Sequence, residues 1–96
     1  ALDPAHQIQI LDLMEQLRRQ RRVTVIMVSH DLNLAAMYGD RLLLLADGEV
    51  ASLGSPREVL TYQQLEKTYG CLLLVDENPL GGVPRVIPVP EKFQLR

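Results

Sequence analysis

The residues with the clearest chemical potential are Ser29, His30 and Asp31, which end the apolar run Val23-Thr24-Val25-Ile26-Met27-Val28. A β-branched run without alternation suits a strand covered on both faces, as in a parallel sheet. In open α/β sheets, ligands bind at the carboxyl ends of such strands. A histidine there can reach toward a bound anion or a reacting water. The same residues also have a plainer reading, a polar strand end in which Asp31 caps the next helix. Pattern alone leaves both readings open.

Other constellations offer less. His6 and His30 are the only histidines, on different elements with no cysteine between them, so no metal site is expected. Ser29 beside His30 makes no nucleophile–base pair, because adjacent strand residues point to opposite faces. Gly81-Gly82 lacks the Lys and Ser/Thr of a phosphate loop and reads as a turn. Arg18, Arg19, Arg21 and Arg22 form the one basic run, where cations meet the negative end of a helix.

The elements that position these residues are set by caps and periodicity. Asp3-Pro4 opens a helix, and Ile10, Leu13, Met14 and Leu17 share one helical face. This helix is expected from Pro4 to Arg19 or Gln20, with Glu15 four residues before Arg19 in the favourable ion-pair order. After the Val23–Val28 strand, Asp31 caps a short helix, Leu32 to Tyr38, closed by Gly39. Leu42 to Ala46 reads as a second buried strand, joined to the first by a connection near the lower limit for a parallel crossover. Asp47-Gly48 is a hairpin turn into an antiparallel strand, Glu49 to Leu53. Ser55-Pro56 starts a short helix through Leu60. Thr61 with Gln64 has capping-box spacing and opens a helix to Tyr69, stopped by Gly70. Cys71 to Val75 and Arg85 to Val89 read as strands, and Pro84, Pro88 and Pro90 make the last one an edge.

Composition narrows the function. At 96 residues the chain is one small domain at most, with 47% hydrophobic residues and no Trp. The net charge of −2 gives no reason to expect a nucleic-acid partner. The single Cys71 cannot form an internal disulfide, and its apolar neighbours suggest burial. The longest apolar runs fall far short of the ~20 residues that span a bilayer. The chain starts at Ala1, on the threshold of a helix, and reads as part of a longer protein.

These motifs converge on a family. Ala1-Leu2-Asp3-Pro4, an amphipathic helix, then Val23 through Ser29-His30-Asp31-Leu32 closely resemble ABC-type ATP-binding subunits. The stretches Asp40 to Val50 and Gly54 to Leu60 resemble the segments downstream of the same histidine in that family, so the resemblance covers about Ala1 to Gly70. Residues 71–96 form a separate β-rich tail, and Tyr69-Gly70 with Gly82 to Pro88 looks like importers of iron-siderophores, haem or cobalamin.

The resemblance implies an α/β fold: a partial P-loop NTPase-type sheet with flanking helices, a β-hairpin and the β-rich tail. His30 would be the switch histidine that contacts the γ-phosphate. Ala1, Leu2 and Asp3 would form the D-loop, where two ATP-binding subunits sandwich nucleotide. ATP and Mg²⁺ would serve the full-length protein. Its partners would be a second ATP-binding subunit, membrane permease subunits and, indirectly, a solute-binding protein, on the inner face of the cell membrane. The Walker A loop, the Q-loop, the signature motif and the Walker B carboxylates have no counterpart in these 96 residues, so the chain alone is expected to be inactive. Two other readings remain: an ATP-independent dimerisation or docking module, and a piece of a non-transport ABC ATPase acting on DNA. A sheet without its remaining strands should also expose an apolar face and invite pairing between chains.

Overall fold

A computed structural model of the chain describes residues 3–94. Ala1 and Leu2, two of the three expected D-loop residues, lie outside the described residues.

The chain runs α1 (Pro4–Arg21), α2 (Leu32–Tyr38), β1 (Leu42–Ala46), β2 (Glu49–Gly54), α3 (Pro56–Val59), α4 (Tyr62–Tyr69), β3 (Leu73–Glu77) and β4 (Pro84–Pro88), then a 3₁₀ turn at Glu91–Phe93. The caps explain most of these boundaries. Asp3 accepts the His6 backbone N–H at 2.9 Å, with proline opening the first turn of α1. Arg18 and Arg19 both reach back to Glu15, at 2.9 and 3.1 Å. The Arg18 hydrogen bonds hold the Glu15 carboxyl below the usual carboxylate range, although burial opposes the shift.

The capping box lies one helix earlier than expected. Ser55 and Glu58 form the reciprocal pair, with the Ser55 N–H donating to Glu58 Oε1 at 2.8 Å. At Thr61 the structure gives one half of the motif, the hydroxyl accepting from the Gln64 N–H at 3.2 Å. Gly70 ends α4 at φ 68, the left-handed conformation that glycine adopts without a Cβ clash.

Among the described residues all strand pairing is antiparallel, in two hairpins, β1–β2 and β3–β4. Asp47 and Gly48 take φ 53 and 77, as a two-residue primed turn demands. Val23–Val28 differs from expectation: it forms neither helix nor paired strand, and Ile26 and Val28 are 90% and 91% exposed. A strand persists only where a neighbour satisfies its backbone N–H and C=O groups, and among the described residues none pairs with this segment. The expected crossover to Leu42–Ala46 is accordingly absent among the described residues. The α/β character remains, built from helices and antiparallel hairpins.

The core is small: Ala36, Leu44, Val59, Leu60, Leu65 and Val86, drawn from α2, β1, the α3–α4 region and β4. Leu42–Ala46 is a half-buried strand rather than a fully covered one. Leu44 is buried, whereas Leu43 and Leu45 face outward opposite Leu53 and Val50, all four exposed. Cys71 is exposed rather than buried, because the strand begins two residues later at Leu73. Helix α1 buries no residue. The radius of gyration is 14.6 Å, against about 12–13 Å for a compact chain of this length. The excess reflects the loosely attached first helix.

Candidate functional site

His30 lies in the turn between the unpaired segment and α2, and it is exposed. Both of its neighbours are held. The Ser29 hydroxyl accepts the Asp31 N–H at 3.1 Å and donates to the Asp31 carbonyl at 3.2 Å. One Asp31 carboxylate oxygen accepts from the Asn33 and Leu34 N–H groups, each at 3.0 Å, and so caps α2. The plain capping role of Asp31 is thus present, and it leaves the imidazole of His30 free of the cap. A short polar turn of this kind fixes the backbone on either side of a side chain that projects to solvent.

The turn borders an open, mostly apolar groove of about 670 Å³. Gln7, Ile10 and Leu11 of α1 form one wall, residues Met27 to Leu34 the floor, and Val86 and Pro88 of β4 the far side. Asp3 is not among these lining residues; it caps α1 one turn before Gln7. The structure therefore groups His30 with α1 and the terminal hairpin, and leaves Asp3 at the start of α1. Among the described residues no cluster of three or more His, Cys, Asp and Glu side chains could hold a metal ion.

Two long-range ties of α2, one of them at this groove, were missed by sequence reasoning. The Asn33 amide bonds both backbone groups of Val86, accepting from its N–H at 2.7 Å and donating to its carbonyl at 3.2 Å. The Tyr38 hydroxyl donates to Asp12 of α1 at 2.6 Å, and its pKa is pushed up to about 12, first by that hydrogen bond and then by burial. The available hint for Asn33 was its residue type, since asparagine is a poor helix former inside a seven-residue helix. Its partner, 53 residues away, had no local signature.

No family model matches the chain. It is 36% identical over 88 residues to the ferric enterobactin transport ATP-binding protein FepC of Escherichia coli K12. It is 43% identical over 88 residues to the hemin import ATP-binding protein HmuV of Vibrio cholerae, and 40% to HmuV of a Jannaschia species. Each match covers 92% of this chain, which spans about a third of the relatives' length, 32% to 34%. A metal-chelate-type ABC transporter in an inward-facing conformation superposes with a TM-score of 0.84 over 98% of this chain and 38% of its own, at 22% identity, and shares the fold.

Proposed function

We propose, from the homology of this chain to the ATP-binding subunits of ABC importers, that it is the C-terminal part of such a subunit and that His30 faces the terminal phosphate of bound ATP. The observation that carries the reading is the exposed His30 on a turn whose two flanking residues are bonded in place. Phosphoryl transfer depends chiefly on positioning and on stabilising charge at the transferring oxygens. An imidazole held on a fixed turn supplies one hydrogen bond to a γ-phosphate oxygen or to the attacking water, with little reorganisation at the moment of reaction. The remaining phosphate contacts and the Mg²⁺ ligands belong to residues outside these 96.

In this reading Ala1, Leu2 and Asp3 meet a second ATP-binding subunit, and residues 1–70 are the ATPase-domain portion with 71–96 as its tail. Permease subunits are the further partner, contacted from the cytoplasmic side, and a solute-binding protein delivers the cargo. The relatives that transport ferric enterobactin and import hemin support an iron-siderophore or haem cargo. The 96 residues alone neither hydrolyse ATP nor bind it tightly.

The test is turnover of Mg-ATP by the full-length subunit. His30→Ala should lower kcat by about 100-fold or more, the scale of losing one preorganised transition-state donor. His6→Ala should leave it unchanged. Equal turnover in the His30→Ala protein and the unaltered protein would remove the mechanism.

A further inference from the structure

Asn33 occupies the second position of α2, two residues after the Asp31 cap, and it grips the terminal hairpin from that position. Its Oδ1 accepts the Val86 N–H at 2.7 Å and its Nδ2 donates to the Val86 carbonyl at 3.2 Å. In an antiparallel strand the N–H and C=O of one residue point the same way. Val86 pairs opposite Val75, and its two backbone groups serve the Asn33 amide. The side chain therefore closes the outer edge of β4 as a further strand would.

We propose that Asn33 is a positioning residue through which the hairpin β3–β4 fixes the turn that carries His30. The mechanical line is short. Val86 is 5% exposed and belongs to the same core as Ala36 of α2. Asn33 binds Val86 by its side chain and Asp31 by its own N–H, at 3.0 Å. Asp31 is locked to Ser29 by the hydroxyl, and His30 stands between them. Hairpin, helix start and histidine turn thus move as one piece. The hairpin is itself braced by the two-pronged Arg85–Asp76 ion pair, at 2.9 and 2.6 Å, and by Arg57, which reaches Glu77 at 3.1 Å and bonds the Gly82 carbonyl. Replacing Asn33 by alanine leaves two nearly buried backbone groups on Val86 without partners and releases the start of α2.

The functional meaning rests on His30 facing the nucleotide, whereas the coupling itself does not. Two measurements separate them. The first tracks the His30 ring Cε1–H signal by NMR in the 96-residue chain, with His6 as internal control and the methyl signals of Leu60 and Leu65 reporting the fold. Asn33→Ala should shift and broaden His30, leave His6 alone and speed exchange of the Val86 amide about tenfold, the scale of losing one or two neutral hydrogen bonds. Asn33→Asp keeps the acceptor but sets an anion against the Val86 carbonyl, and should perturb His30 in the same sense. An unchanged His30 signal with intact core methyls overturns the proposal. If the variants unfold, hydrogen exchange of the unaltered chain decides: Val86, Asn33 and Leu34 amides should open together, and a Val86 amide exchanging about a hundredfold faster than the other two refutes the coupling.

The second measurement is ATP turnover by the full-length subunit. Asn33→Ala should lower kcat about tenfold with KM for ATP unchanged, the scale of a misplaced catalytic group rather than a lost one, whereas Arg85→Ala, on the exposed face of the hairpin, should have a smaller effect. Loss of turnover in His30→Ala with full turnover in Asn33→Ala refutes the positioning role alone. Full turnover in His30→Ala with a shifted His30 signal in Asn33→Ala refutes the role of His30 and leaves the coupling standing.

Discussion

Replacing Tyr38 by phenylalanine should loosen α1 from the rest of the fold. Helix α1 contributes no buried residue, so side-chain bonds carry much of its attachment. The Tyr38 hydroxyl donates to Asp12 at 2.6 Å, and Arg18 stands 3.7 Å from Asp40. The rise of the Tyr38 pKa from 10.0 to about 12 has the hydrogen bond to Asp12 as its first cause, ahead of burial and the charges of Asp12 and Glu15. Taken at face value that rise corresponds to about 2.7 kcal/mol. Asp12 is exposed, and solvent screening reduces the figure to about 1 kcal/mol. A loss of about 1 kcal/mol changes the docked-to-undocked ratio of α1 about fivefold.

The pH dependence has a definite sign. The folded-state pKa lies above the unfolded one, so the tie contributes fully below pH 10 and is lost as the pH rises from about 10 to about 12. Ionised Tyr38 would set a phenolate against the Asp12 carboxylate. Hydrogen exchange of the α1 amides in Tyr38→Phe, together with an NMR titration of the Tyr38 ring, measures both consequences. A ring that titrates near 10, or α1 exchange unaltered by the substitution, would show that the hydroxyl does not hold the helix.

Three further outcomes are expected. Leu65 is fully buried in the core, so Leu65→Ala should cost about 3 kcal/mol in urea unfolding; a loss under about 1 kcal/mol would mean that the core collapses around the gap. Asp31→Ala removes the acceptor for two N–H groups of α2 and should cost about 1 kcal/mol, with Asp31→Asn restoring most of it; equal stability of all three proteins by thermal melting would deny the cap its role. The outward row Leu43, Leu45, Val50 and Leu53 is an apolar patch on β1–β2, so the 96-residue chain should self-associate and Leu43→Ser with Leu45→Ser should suppress it; a monomer by light scattering at high concentration would count against that.

Local chemistry determined much of this molecule in advance. The caps Asp3, Asp31, Ser55 and Thr61, the Asp47-Gly48 turn and the Gly70 stop each satisfy or redirect backbone groups within a few residues, and each is where its spacing put it. The placement of His30 directly before a capped helix was legible for the same reason. Burial and pairing were decided by tertiary structure, because they depend on which elements are present to cover a face. Val23–Val28 has the composition of a central strand and, among the described residues, no strand partner; Leu43 and Leu45 have the composition of a core and face outward; Cys71 sits beside apolar residues and is exposed. The Asn33–Val86 clamp and the Tyr38–Asp12 tie join residues 53 and 26 positions apart, and only the folded chain brings such pairs within hydrogen-bond reach.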